Sequence, residues 1–141
     1  MAQASVSELV PCESSKFYNV VMDFEKYPDF LPEVSDCKVV DEGDDYKDVE
    51  MTVNFIKTAK YTIRVRSEKD KKVWWELVEG NLFKKNNGLW EFEAVGSQTQ
   101  VKYSLEVDFK IFVPGMIAKK AVSVSLPAML KNFKKRVASL S

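Results

Sequence analysis

The chain has 141 residues, of which 45% are hydrophobic and 30% charged, with 21 basic residues balancing 21 acidic ones, and this size and composition predict a single domain over residues 1–141. No apolar run approaches the roughly 20 residues that span a bilayer, and the N-terminus lacks the basic and apolar regions of a secretory leader, so we expect a cytoplasmic protein. Histidine is absent, and Cys12 and Cys37 lack metal-ligand spacing, which excludes histidine-dependent triads and predicts neither a metal nor a cofactor.

The chain is predicted to start with a strand and a short helix. Residues Gln3–Val10 alternate weakly between apolar and polar side chains and stop before a proline, which is typical of a strand. Ser14 or Ser15 can cap the helix that follows. Behind these serines, apolar residues recur at helical spacing, namely Phe17, Val20, Val21 and Phe24.

A second, shorter helical segment is predicted between Pro28 and Pro32. Two prolines this close leave room for one helical turn at most. That turn presents Tyr27, Phe30 and Leu31, which either gate the mouth of a pocket or plug the edge of the sheet as core.

From Ser35 to Phe109 the hydrophobic pattern has a period of two, which predicts six further strands joined by hairpins. For example, Val49, Met51, Val53 and Phe55 alternate with polar residues. Gly, Asn and Asp clusters favour tight turns. The predicted turns are Glu42–Asp45, Lys69–Lys72, Asn86–Gly88 and Gly96–Ser97.

After Pro114 and Gly115 the rest of the chain reads as one long amphipathic helix, in which Pro127 introduces a kink. The apolar residues predicted near one side of it are Met116, Ile117, Val124, Met129, Leu130, Phe133, Val137 and Leu140.

This order of elements predicts an α+β fold: a curved seven-stranded antiparallel sheet around a long C-terminal helix, with two short helices after strand one. A strongly twisted sheet of this size curls, and one helix does not fill the concavity. We therefore expect an apolar cavity suited to a hydrophobic small molecule.

The segment Val20–Pro32 resembles the V-x-D-x-x-x-Y-P-x-F-L-P signature of the START-like (SRPBCC) superfamily. Within that superfamily it is most similar to the polyketide cyclase and coenzyme Q-binding group, which also contains a ribosome-association toxin. The segments Trp75–Gly80, Trp90–Phe92 and Val113–Gly115 resemble further motifs of the family. The resemblance covers essentially the whole chain and implies the helix-grip fold. Coenzyme Q-binding members continue the signature with a tryptophan where this chain has Glu33, so the motif does not name the ligand.

The residues predicted to contact a ligand are apolar or aromatic and lie on the inward parity of the strands, on the Tyr27–Pro32 turn or on the last helix. Ordinary core packing is the alternative for each aromatic residue among them. They are Tyr27, Phe30, Leu31, Met51, Val53, Phe55, Tyr61, Ile63, Trp75, Leu77, Trp90, Phe92, Tyr103, Leu105, Met116, Ile117 and Leu130.

Charge is unevenly distributed, because the stretch after Phe109 carries seven basic residues and no acidic one. Such a helix suits an anionic membrane surface or ribosomal RNA, although a merely solvated face is the alternative. We expect no DNA partner, since no motif for nucleic acid accompanies it. The basic residues are Lys110, Lys119, Lys120, Lys131, Lys134, Lys135 and Arg136.

Three functions remain open from the sequence. The preferred one is binding or transport of a lipid, quinone or polyketide-like molecule without catalysis. The resemblance also allows a polyketide cyclase or aromatase, for which Tyr61 and Tyr103 are the only inward polar candidates. The third is a ribosome-associated interaction protein that uses the basic C-terminal helix.

Overall fold

The structure is a computed structural model that describes residues 2–54 and 57–140. Within these residues the chain forms one antiparallel sheet and three α-helices. The strands are β1 (Ala2–Val10), β2 (Val34–Glu42), β3 (Lys47–Asn54), β4 (Thr58–Glu68), β5 (Lys72–Gly80), β6 (Phe83–Val95) and β7 (Gln98–Phe109). The helices are α1 (Ser14–Met22), α2 (Tyr27–Phe30) and α3 (Gly115–Ser139), and a 3₁₀ turn at Phe24–Lys26 precedes α2.

The sheet is a meander of β2 to β7, and β1 is added at its edge beside β7. Its order is β1-β7-β6-β5-β4-β3-β2, so β1 pairs with the last strand and every other neighbour is consecutive in the chain. The predicted α+β architecture, with a curved seven-stranded sheet around a C-terminal helix, is therefore confirmed. Strand β5 pairs with β6 only from Lys72 to Trp75. Beyond Trp75 the two strands are no longer paired.

Helix α3 lies across the sheet and packs mainly on β1, with further contacts to α1 and β7. Its buried residues are Ala118, Val122, Leu126, Leu130, Phe133 and Val137, and Pro127 lies inside it as predicted. No helix among the described residues has the length and apolar character needed to cross a membrane.

The prediction for the buried side of α3 is wrong in its N-terminal half. Met116 is 87% exposed, and Ile117 and Val124 are also more than half exposed. The chain instead buries Ala118 and Val122 there. Of the larger residues, Ile117 and Val124 border the cavity despite their exposure.

The prediction of a turn at Asn86–Gly88 is also wrong, because these residues lie inside β6. The β5–β6 connection falls instead at Asn81 and Leu82. Gly88 is needed for a close approach, since a Cβ there would lie 1.9 Å from Cζ2 of Trp75. The other predicted turns fall between strands, and Gly96 has the left-handed φ of 63° that favours glycine.

The predicted N-cap of α1 is wrong as well. Glu13 occupies the N-cap position and makes no side-chain capping bond, while Ser14 is the first helical residue. The Ser14 hydroxyl lies 3.1 Å from Oγ1 of Thr99, whose own hydroxyl donates to the Cys12 carbonyl. The serine therefore ties the helix start to β7.

Candidate ligand-binding cavity

A cavity of about 570 Å³ lies between the concave face of the sheet and α3. Strands β3 to β7 supply its floor, the segment from Val21 to Val34 supplies one side, and α3 covers it from Ile117 to Phe133. Most of the wall is apolar. A volume in this range accommodates a drug-sized ligand, for which sites of roughly 300–1,000 Å³ are usual.

Many of the sequence-predicted residues meet in this wall. They come from five strands, α2, the residue after it and α3, so the fold brings together positions up to 90 residues apart in the chain. The predicted residues that line the cavity are Tyr27, Leu31, Met51, Val53, Tyr61, Ile63, Trp75, Trp90, Tyr103, Leu105 and Ile117.

Two predicted aromatic residues lie outside the wall and pack on other rings, Phe92 within the core and Phe30 partly buried against it. Phe30 packs edge-on against Phe133 at 5.1 Å and lies under the guanidinium of Arg136. Phe92 packs against Phe17, with ring centroids 5.6 Å apart. The core alternative applies to both positions.

The remaining predictions also lie outside the wall or outside the described residues. Met116 points to solvent at the start of α3, and Leu130 is buried between α3 and the sheet. Leu77 is only partly buried on β5. Phe55 lies outside the described residues.

The sequence did not identify several lining residues. Helical spacing indicates that Val21, Phe24 and Phe133 are apolar helix positions but does not indicate that they line a cavity. The composition around Asn86 favours a turn, and the parity of β6 relative to Trp90 is the signal that places Asn86 inward. The missed positions are Val21, Phe24, Glu33, Val34, Asn54, Val73, Phe83, Asn86, Val107, Lys120, Ala121, Val124, Ser125, Leu126, Ala128, Met129 and Phe133.

The centre of the floor is a stack of aromatic rings. Trp90 and Tyr103 lie on adjacent strands in register and stack with centroids 4.2 Å apart and an interplanar angle of 5°. The ring of Phe133 from α3 meets Trp90 edge-on at 4.9 Å. This cross-strand stack fixes the positions of the two rings in the floor.

The polar groups of the floor are neutral. Asn86 is buried, and its Oδ1 accepts a hydrogen bond from Nε1 of Trp75 at 3.2 Å. The hydroxyl of Tyr61 donates weakly to Sδ of Met51 at 3.8 Å. Burial raises the pKa of both Tyr61 and Tyr103 above the usual value for tyrosine, so these hydroxyls keep their protons at neutral pH.

The segment around α2 forms a fixed wall of the cavity. The Tyr27 ring packs against Phe24 and Phe133, and its hydroxyl donates to the carbonyl of Val21. Burial raises the pKa of this phenol well above its usual value. Tyr27 and Leu31 thus line the cavity and belong to the hydrophobic core at once.

The charged side chains of the wall are Glu33 and Lys120, which are half-buried and exposed respectively and so mark its rim. The strand carboxylates Glu76, Glu91 and Glu93 are exposed, in agreement with the parity of their strands. In the described part of the chain no group of three or more Cys, Asp or Glu side chains is arranged to hold a metal ion.

Comparison with known proteins finds one matching family and related sequences. A sequence profile for the family described as "Polyketide cyclase / dehydrase and lipid transport" matches residues 10–134. The ribosome association toxin RatA of Pseudomonas aeruginosa is 30% identical over 108 residues, which cover 73% of this chain and 71% of the toxin.

Two solved structures show the same fold at lower sequence identity. A START superfamily protein from Mycobacterium smegmatis superposes with a TM-score of 0.90 at 22% identity and full coverage of both chains. The Zhui aromatase/cyclase from Streptomyces sp. R1128 superposes with a TM-score of 0.80 at 15% identity, covering 96% of this chain and 93% of that one.

Proposed function

This chain belongs to the polyketide cyclase/dehydrase and lipid transport family, and from that membership we propose that it binds or transports a hydrophobic small molecule of the lipid, quinone or polyketide type. The observation that carries this proposal is the cavity of about 570 Å³ with its apolar wall. We further propose that the predicted residues lining the wall contact the ligand.

The chemistry of the wall favours binding over catalysis. A cyclase or aromatase, the alternative suggested by the fold relatives, needs a group that exchanges protons near neutral pH. The floor offers phenols whose pKa values burial raises still further. Among the described residues, the one carboxylate in the wall is Glu33 at the rim.

Native mass spectrometry with organic extraction tests this proposal on protein purified from its own host. We expect one lipid, quinone or polyketide-like molecule per chain. Ala121 lines the cavity while Ala138 is exposed on the same helix, so Ala121→Trp should expel that molecule and Ala138→Trp should retain it. Protein that stays empty, and binds no hydrophobic compound in vitro, would contradict the proposal.

A second candidate function is association with the ribosome, which the similarity to RatA favours. Lys134 is paired with Glu8 at 2.8 Å and Arg136 lies over Phe30. Other basic residues of α3 are exposed, and the structure gives them no ion pair within residues 2–54 and 57–140: they are Lys119, Lys120, Lys131 and Lys135. Such cations would contact phosphates with a strong dependence on salt.

The N-terminal end of α3 favours a different partner, an anionic membrane surface. Phe112 is 89% exposed and Met116 87% exposed, and Lys119 and Lys120 follow within one helical turn. Exposed apolar side chains beside cations are typical of segments that lie in the headgroup region of a bilayer. This end also adjoins the cavity rim at Ile117.

Cosedimentation separates the two partners. Lys131→Glu with Lys135→Glu should abolish ribosome binding, whereas Phe112→Ser with Met116→Ser should abolish binding to vesicles of anionic phospholipid. A matched control is Lys69→Glu with Lys84→Glu, two exposed lysines outside α3. If the wild-type protein binds neither ribosomes nor vesicles at low salt, the basic face is only solvated.

A further inference from the structure

Tyr103 differs from the other buried and half-buried tyrosines in the bonding of its hydroxyl. The side chain is 4% exposed and its ring is fixed by the stack on Trp90. The hydroxyls of Tyr27, Tyr18 and Tyr61 are paired with the Val21 carbonyl, Oγ of Ser67 and Sδ of Met51. No described residue makes a hydrogen bond with the hydroxyl of Tyr103.

An unpaired hydroxyl in such a place is unusual. Buried tyrosines generally find a hydrogen-bond partner. The Tyr103 hydroxyl is not among the fully buried unpaired side-chain atoms of the described residues, so it keeps some accessible surface. Tyr103 lines the cavity, so the space available to its hydroxyl is the space that a ligand would fill. A ligand atom can supply the partner that the protein does not.

The surroundings of Tyr103 select the charge of that ligand atom. Its polar neighbours on the floor, Asn86 and Tyr61, are neutral, and the cation in the described wall is Lys120, which is exposed at the rim. A carboxylate on the floor would lose its hydration without gaining a cation, which disfavours its binding. An uncharged oxygen would accept a hydrogen bond without that penalty.

The aromatic lining also limits the shape of the ligand. Trp90 and Tyr103 stack face to face on each other, and Trp75 lies 6.1 Å from Tyr103, so three aromatic rings border the cavity. Planar ring systems make stacked or edge-to-face contacts with aromatic side chains of this kind.

We propose that the Tyr103 hydroxyl donates a hydrogen bond to an uncharged carbonyl oxygen of a planar, ring-containing ligand, and that the cavity therefore selects polycyclic ketones over hydrocarbons and carboxylates of the same shape. This inference rests on the proposed binding function and names the class of molecule bound.

Three probes with the same tricyclic skeleton test the inference by isothermal titration calorimetry: 9-fluorenone, fluorene and fluorene-9-carboxylate. We expect the wild-type protein to bind fluorenone most tightly. Tyr103→Phe keeps the ring and removes the hydroxyl, so it should weaken fluorenone binding roughly 5- to 10-fold, as expected for one hydrogen bond, and leave fluorene binding unchanged.

Tyr18→Phe is the matched control, because it removes a tyrosine hydroxyl outside the cavity and should leave both affinities unchanged. Unchanged fluorene binding and a wild-type-like thermal melt establish that Tyr103→Phe is folded. If Tyr103→Phe binds fluorenone as tightly as wild type, the anchoring role is overturned while the binding function stands. If none of the three probes binds the wild-type protein but native mass spectrometry shows a hydrophobic molecule bound to it, the inference about planar ketones is overturned and the binding function stands. If the protein is also empty by native mass spectrometry, both fail.

Discussion

The two faces of the sheet shift the protonation of their side chains in opposite directions. On the concave side, burial raises the pKa of Tyr61 and Tyr103, so neutral forms are favoured. On the convex side, Arg64 donates two hydrogen bonds to Asp48 at 2.8 and 3.0 Å, and these lower the pKa of that carboxyl. The concave face thus favours neutral side chains, and the convex face carries ion pairs. The difference indicates that the concave face suits an uncharged ligand, while the convex pairs serve the fold.

The largest effect is expected from placing an ion on the wrong face. Val101 is fully buried on the concave parity of β7, whereas Ser104 lies on the opposite parity of the same strand. Val101→Asp should lower the free energy of unfolding by about 4 kcal/mol or more, because a buried carboxylate has no partner there. Urea denaturation measures this loss.

Ser104→Asp is the matched substitution on the convex side and should change stability by no more than about 0.5 kcal/mol. Equal losses from the two aspartates would contradict the distinction between the faces.

The next largest loss of stability is expected from truncating Phe133, the aromatic residue through which α3 packs on the concave face. Phe133 meets Tyr27 at 5.4 Å and Trp90 at 4.9 Å, so it joins the helix to α2 and to the floor. Phe133→Ala should cost about 3–5 kcal/mol through the lost contacts and the cavity that remains. Chemical denaturation checks this value, and Lys135→Ala, an exposed change on the same helix, should have almost no effect.

Much of the fold was predictable from the sequence because the signals were repeated. Alternation along β3, β4 and β7 fixed which residues face inward, and the Tyr-Pro signature supported the same arrangement. The six predicted strands between residues 34 and 109 are present, and only the connection between β5 and β6 was misplaced, since each alternating pattern agrees with its neighbours in the sheet.

The errors came from places where a tertiary contact overrides local chemistry. Asn86 and Gly88 have the composition of a turn, yet the bond to Trp75 and the space for its ring keep them in β6. On α3 the apolar residues are numerous enough to allow more than one buried side, and the packed helix buries Ala118 and Val122 rather than Met116 and Val124. No pattern in a single sequence reports these contacts.

The stability of the fold should fall at alkaline pH because buried groups near the concave face ionise there only with difficulty. Burial raises the pKa of Cys37 from 9.0 to about 12. Between these values the unfolded chain releases the thiol proton while the folded chain retains it, so stability falls as pH rises. Through this thiol alone, the free energy of unfolding should fall by about 1 kcal/mol from pH 9 to pH 10.

Urea denaturation at pH 7 to 10.5 compares wild type with Cys37→Ala. The stability of the variant should decline less steeply above pH 9, while the buried tyrosines still contribute a decline of the same sign. Identical slopes would show that Cys37 titrates normally in the fold.

The smallest effect is expected from the convex ion pair, and it has the opposite pH dependence. Because the folded-state pKa of Asp48 lies below the usual 3.8, the pair stabilises the fold above that value and loses its contribution as pH falls through the folded pKa. Arg64 is partly exposed, so solvent screens the pair and its contribution is modest.

Arg64→Met should therefore be less stable than wild type at pH 7, and the difference in free energy of unfolding between the two proteins should become smaller below about pH 4. Arg66→Met, which removes a pair with the exposed Glu76, should show no such narrowing. A gap for Arg64→Met that stays constant from pH 7 to pH 2 would assign its effect to the lost contact with the Tyr46 ring rather than to the carboxylate.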